Sequence, residues 1–171
     1  MTETNTSNKR RTPVLLSYLA LTAGLVFFDQ WSKAVVLKTL SSGATVTVLP
    51  RVLQFRYVQN TGAAFSVLSG KTLFLTVLTA LLLAGAAVLL VLDKIPGRWN
   101  QIAVVLMAAG GAGNLIDRIV RHYVVDFIEV LFTEFAVFNV ADCCVTAGAA
   151  MLILSTLLSF VKDLRKDRNQ E

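Results

Sequence analysis

Residues 72–92 read TLFLTVLTALLLAGAAVLLVL, twenty-one positions without a charged side chain. As an α-helix this run is about 31 Å long at 1.5 Å per residue. That is enough to cross a hydrocarbon core of about 30 Å. A helix apolar on every side has no stripe to turn toward water, so its solvent is lipid. Three further apolar stretches flank it: Val14–Phe28, Ile102–Ile116, and about Ala136 to Val161, the last holding a single acid, Asp142. The first is only about 22 Å long, too short to span. Its helix is therefore expected to run on through Asp29 and Lys33 toward residue 37. The expected spans are 14–37, 72–92, 101–118 and 136–161. They form one domain, residues 13–161, between a polar disordered tail (1–12) and a charged, solvated helix end (162–171).

Composition agrees. The chain has 171 residues, 55% hydrophobic and 16% charged, with a mean hydropathy of +0.65. A soluble domain carries about 25% charged residues, so these charges are too few to clothe one. Disorder is excluded by the apolar content. A disulfide scaffold is excluded because the two cysteines, Cys143 and Cys144, are adjacent. The net charge of +5 is not gathered into one basic stripe, so no nucleic-acid partner is expected.

Four spans put both chain ends on one side. Lys9, Arg10, Arg11, Lys94, Arg98, Lys162, Arg165, Lys166 and Arg168 all fall on that side, and positive charge marks the cytoplasm. The expected topology is N-in, C-in. No A-x-A cleavage site follows the first apolar run, where Phe27-Phe28-Asp29-Gln30 stands instead, so an uncleaved first span is expected. Two segments lie outside. Thr45–Val48 and Val52–Val58 alternate around Pro50, and Tyr123–Ile128 is also strand-like, which predicts a small sheet on the outer membrane surface.

Ionisable groups at membrane depth are costly and point to function. Traced along this topology they gather at one level. Asp29 and Lys33 end span one; Asn114, Asp117 and Arg118 end span three; Asn139 and Asp142 begin span four; Asp126 lies in the outer segment. The spacings Asp29/Lys33, Asn114/Asp117, Asn114/Arg118 and Asn139/Asp142 each share a helix face. Gly110-Gly111-Ala112-Gly113 allows span three a close approach to a neighbour. Asp29–Lys33 and Asp117–Arg118 read as ion pairs joining helices. Asp126 and Asp142 have no local cation. Two such carboxylates at one depth can share a proton, one activating water and the other protonating a leaving amine. On spacing alone a proton relay of a small transporter stands equally open, as does a non-enzymatic scaffold. Transport is disfavoured because span two has nothing polar from Ala80 to Leu92.

Other chemistry fits worse. A single histidine, His122, cannot build a His-based zinc site, no H-E-x-x-H is present, and His122 reads as interfacial. The glycine run matches neither phosphate-binding pattern. Ser17, Ser32 and Ser66 lack a Lys or His partner in a shared segment. Cys143 and Cys144 read as small packing residues.

The blocks Phe28–Lys33, Asn60–Ser66, Gly113–Arg118, Val124–Phe127 and Phe138–Asp142 together resemble the bacterial lipoprotein signal peptidase (signal peptidase II) family, in its order and over about residues 14–160. The resemblance implies an all-α membrane protein, a four-transmembrane-helix bundle with a small extracytoplasmic β-cradle and a short outer helix. It implies a membrane aspartic endopeptidase of the bacterial cytoplasmic (inner) membrane, with its site at the extracytoplasmic face. The substrates implied are diacylglyceryl-modified prolipoproteins, cut just before the lipidated cysteine. Asp126 and Asp142 match the catalytic pair. Asn60, Gly62, Asn114, Arg118, Asn139 and Ala141 match positions that line or support the site and bind globomycin-type inhibitors. Asp29, Lys33 and Asp117 match supporting positions. Arg118 and the asparagines are expected to donate to the developing oxyanion. The partners implied are prolipoprotein and membrane lipid; no cofactor, no metal and a monomer are expected. Cys143-Cys144 departs from the small or hydroxyl residues common after the second acid.

Overall fold

The computed structural model describes residues 3–63 and 67–168, the first eight of them by backbone alone. Four helices carry the chain: α1 (Glu3–Leu40), α2 (Thr72–Val91), α3 (Arg98–Arg121) and α4 (Val140–Arg168). Each contains a stretch long and apolar enough to cross a membrane. Three strands complete the fold: β1 (Thr45–Leu49), β2 (Leu53–Asn60) and β3 (Val124–Val130), an antiparallel sheet in that order. Side chains such as Leu73, Leu81 and Leu82 stay exposed because no protein surface covers them. In a helix without a polar face that exposure is a lipid contact.

The helix limits correct the sequence reading at several points. The tail expected to be disordered is helical from Glu3 onward. α3 begins at Arg98 and runs one turn beyond Arg118. α4 begins at Val140, not near 136, because Phe138 is held extended. Its N–H donates to the Ile128 carbonyl (3.0 Å), and its carbonyl accepts from Phe127 N (2.9 Å) and Ile128 N (2.8 Å). No short helix occurs in the inter-span segments among the described residues; 131–134 form turns.

α3 is the centre of the bundle, and its glycines are the reason. A Cβ on Gly110 would collide with the Ala141 carbonyl oxygen and Val145 of α4; one on Gly113 would meet Asp29 of α1; one on Gly111 would press Leu83 of α2. From the other side, Gly148 of α4 abuts the Ala103 carbonyl and Met107. Removing side chains lets backbones approach closely where lipid offers no hydrophobic drive to associate.

The sheet caps one end of the bundle. β3 alternates with period two. Val125 and Phe127 turn toward Val36 and Leu40 at the end of α1, with Phe55 and Tyr57 against the same cluster. Val124 and Asp126 turn the other way, into a cavity. A bulge between Phe55 and Val58 advances β2 by one residue and pairs Val58 with Asp126 and Asn60 with Val124. One extra residue flips the side-chain phase of the strand beyond it. That shift puts Asn60 diagonally opposite Asp126 on one face.

Candidate active site

Asn139 is the last residue before α4, and it sets the local geometry. Its side-chain Oδ1 accepts from Asp142 N (3.0 Å), while Asp142 Oδ2 accepts from Asn139 N (3.1 Å). This is a reciprocal capping box, which satisfies two N–H groups that a helix start leaves free. The Asn139 Nδ2 then donates to Asp126 Oδ1 (2.7 Å) and Asn114 Oδ1 (3.1 Å). One residue therefore ties a strand acid to a helix acid. Asp126 Oδ2 accepts from Asn60 Nδ2 (2.9 Å), and Asp142 Oδ1 accepts from Asn114 Nδ2 (2.9 Å). Every oxygen of both carboxylates accepts from an amide, and no ion pair reaches either acid among the described residues. Burial pushes the Asp126 carboxyl up from 3.8 to about 6; the Asn60 hydrogen bond opposes the rise and the nearby Asp142 charge adds to it.

Both acids line a cavity of about 630 Å³ with Asn60, Asn114 and Arg118. From the acids the cavity follows α4 past Cys143, Thr146, Ala147 and Ala150. All four residues are exposed, so the cavity opens sideways along a helix face bare of protein. Cys143 thus borders the cavity, contrary to its reading as a packing residue, whereas Cys144 is buried. Residues 64–66 of the Asn60–Ser66 block lie outside the described residues.

Beneath the acids lies a closed ionic cluster. Lys33 Nζ pairs with Asp29 (2.9 Å) and Asp117 (3.0 Å) and donates to Asn114 Oδ1 (2.9 Å). Lys33 and Asp117 are 0% exposed and Asp29 is 1% exposed. Asp29 Oδ1 accepts from Ala141 N (2.9 Å), and Asp117 Oδ2 accepts from Val125 N (3.1 Å). The cluster thereby fixes the residues next to each acid. Gln30, which the sequence reading passed over, donates through Nε2 to Asp29, Asp117 and the Gly113 carbonyl. Its place in the Phe28–Lys33 block was the available signal.

Two expectations need correction. The cations on Asp117 are Arg121 (2.6 Å), on its own helix, and Lys33, not Arg118. Consecutive helical residues point about 100° apart, while i and i+4 share a face. Arg118 instead donates through Nη2 to the Gly62 carbonyl (2.9 Å), and Gly62 N donates to Asn60 Oδ1 (2.8 Å). Asn60 and Asn139 are also poor oxyanion donors. The two N–H bonds of Asn139 are already used on Asn114 and Asp126, and those of Asn60 on Asp126 and the Ala63 carbonyl (3.3 Å). Arg118 Nε, by contrast, is buried with no hydrogen-bond partner. His122 ends α3 in the left-handed conformation (φ 65°), exposed and not among the residues that line the cavity. Among the described residues no group of three or more His, Cys, Asp or Glu is placed to hold a metal ion.

The family model for signal peptidase (SPase) II matches residues 21–158. The chain is similar to a lipoprotein signal peptidase of Nostoc sp., 44% identical over 134 residues that cover 77% of this chain and 83% of the relative. It is 39% identical over 130 residues to one from Streptococcus thermophilus, covering 76% and 85%. It is 35% identical over 147 residues to one from Enterococcus faecalis, covering 86% and 91%. A solved bacterial membrane enzyme superposes with a TM-score of 0.79 at 32% identity, covering 84% of this chain and 89% of that one. The chain belongs to the signal peptidase II family.

Proposed function

We propose that this family member removes signal peptides from prolipoproteins by aspartic catalysis, with Asp126 and Asp142 as the acid pair. The observation that carries the reading is the bridge through Asn139. It sets two otherwise cation-free carboxylates side by side at the head of a cavity that opens along α4 toward lipid. A substrate whose cysteine carries a diacylglyceryl group approaches from the bilayer, its chains still in lipid and its scissile bond at the level of the acids. In agreement with the charge asymmetry between the two ends, that level is the extracytoplasmic face of the bacterial inner membrane, with both termini in the cytoplasm. The same cavity accepts globomycin-type inhibitors, and a single copy of the chain holds the complete set of residues.

The acid pair works with one proton between its two members. The ionised carboxylate removes a proton from water as the water oxygen bonds to the scissile carbonyl carbon. The protonated partner donates toward the carbonyl oxygen as charge develops there. Arg118 Nε, with its unused N–H, is a donor available to meet that charge. When the tetrahedral carbon collapses, the C–N bond breaks and the proton passes to the cysteine nitrogen. The products are a free signal-peptide carboxyl and a new amino terminus on the lipidated cysteine.

The test is gel-shift processing of a diacylglyceryl-modified prolipoprotein by purified enzyme. Asp126→Asn and Asp142→Asn are each expected to abolish cleavage while the protein still folds. Cleavage by both variants at the native rate would overturn the assignment.

A further inference from the structure

Lys33 is a fully buried charge, and it touches neither acid. Its ammonium has three protons and no lone pair, and all three are used, on Asp29 Oδ2, Asp117 Oδ2 and Asn114 Oδ1. The atom that Asn114 turns toward Lys33 must therefore be its oxygen. Its NH₂ is left facing the other way, onto Asp142 Oδ1. The second lone pair of Asn114 Oδ1 takes an N–H of Asn139, which directs the other N–H of Asn139 onto Asp126 Oδ1. An amide can present either its oxygen or its NH₂ to a neighbour, and the two ends favour opposite protonation states. An N–H toward a carboxyl stabilises the ionised form, whereas a C=O toward it stabilises the protonated one.

We propose that Lys33 is a positioning residue that sets the donor polarity of Asn114 and Asn139, and through those amides keeps the acid pair from taking up a second proton. The proposal rests on the reading of Asp126 and Asp142 as that pair. The Lys33 charge also acts on both acids through space, and that of Asp29 on Asp142, so removing Lys33 and Asp29 together leaves hydrogen-bond direction as the main difference. Without it, Asn114 is free to turn its oxygen to Asp142, and Asn139 loses the acceptor that orients it. The acids would then be doubly protonated at a higher pH, and a doubly protonated pair has no base for water. The other charged or titratable groups facing them are Asp29 from α1, Asp117 and Arg118 from α3, and Cys143 beside Asp142 on α4; β2 contributes the amide of Asn60.

The experiment compares wild type with Lys33→Met and with Asp29→Asn/Lys33→Met. The double variant removes one charge of each sign and keeps the buried cluster in balance where the single one fails to fold. The acid limb of the kcat/KM profile is expected to move up by about one pH unit in the double variant, a tenfold change in protonation. KM should change less than kcat. Asn114→Ala should move the limb likewise, and adding it to the double variant should move it no further, as expected of two residues acting through one contact. Lys33→Arg, which restores charge and donors, should return the limb toward wild type. The infrared carboxyl band of protonated aspartate, followed against pH, reads the same shift without any cleavage. It therefore separates failure of this proposal from failure of the catalytic assignment. A double variant with a lowered melting temperature but a wild-type pH profile and carboxyl band would show that Lys33 is structural only and overturn the proposal.

Discussion

α1 is tied to its neighbours by charge at both ends, and the two ties differ in kind. At the sheet end, Lys33 lies between Asp29 and Asp117 at 2.9 and 3.0 Å, with side chains no more than 2% exposed. At the opposite end, Arg11 meets Asp93 at 3.8 Å, with side chains 30% and 60% exposed. There Tyr18 donates to Gln101 (2.8 Å) and Gln101 to Asp93 (2.9 Å), around a polar cavity of about 430 Å³. Similar residue types thus build a closed, dry cluster at one end and a wet one at the other. Water and screening reduce the second to a fraction of a kcal/mol. The first persists only because every donor and acceptor in it is matched, since an unmatched buried charge costs several kcal/mol. A dry cluster can hold a hydrogen-bond direction fixed, which makes the sheet end the one suited to chemistry.

That contrast can be broken by experiment. The largest effect is expected from Asp117→Asn, which leaves Lys33 and Arg121 short of a buried partner. A loss of about 3 kcal/mol or more is the expected cost of breaking a buried pair, read as a fall in the thermal midpoint of protein in bicelles. An unchanged midpoint would erase the distinction between the two ends.

The next effect carries a sign. Folded Asp126 titrates near 6, above its ordinary 3.8, so between those values the native state holds a proton that the unfolded chain has released. Stability contributed by this group therefore falls as pH rises through the window. Asp126→Asn removes the cost of burying the ionised form. It should stabilise the protein at pH 7.5 relative to pH 4 by on the order of 1–3 kcal/mol, compared with wild type. A stability difference that does not vary with pH would count against a raised Asp126. The smallest effect is expected at the wet end. Arg11→Gln or Asp93→Asn should cost under about 1 kcal/mol and less still in high salt. A larger loss would mean that this end is drier in the membrane than its exposure indicates.

Much of this was legible in the chain itself. The uncharged run 72–92 fixed the solvent, and i,i+4 spacing paired Asp29 with Lys33 correctly. Alternation located all three strands within a few residues. Pairing Asp117 with its immediate neighbour Arg118 passed over Arg121, which lies at i+4 on the same helical face. The start of α4 was misplaced because residues 136–139 are as apolar as the helix that follows. Only the long-range bridge from Phe138 to Ile128 holds them extended. Asn60 and Asn139 looked like free donors in the sequence because hydrogen-bond saturation is a property of neighbours, and the neighbours of Asn139 lie 13 and 25 residues away in sequence.

The sequence by itself determined the solvent, the number of spans, the strands and the level at which polar residues gather. Each of these follows from periods of two or 3.6 residues and from the cost of charge in lipid, which are local properties. Tertiary structure alone decided which polar groups meet and with what polarity. A bulge in β2 turned Asn60 to Asp126, glycines on α3 admitted Asp29 and Ala141, and the donor-only ammonium of Lys33 oriented an amide that faces a carboxylate on another helix. Those outcomes depend on contacts between residues far apart in sequence, which no local periodicity records.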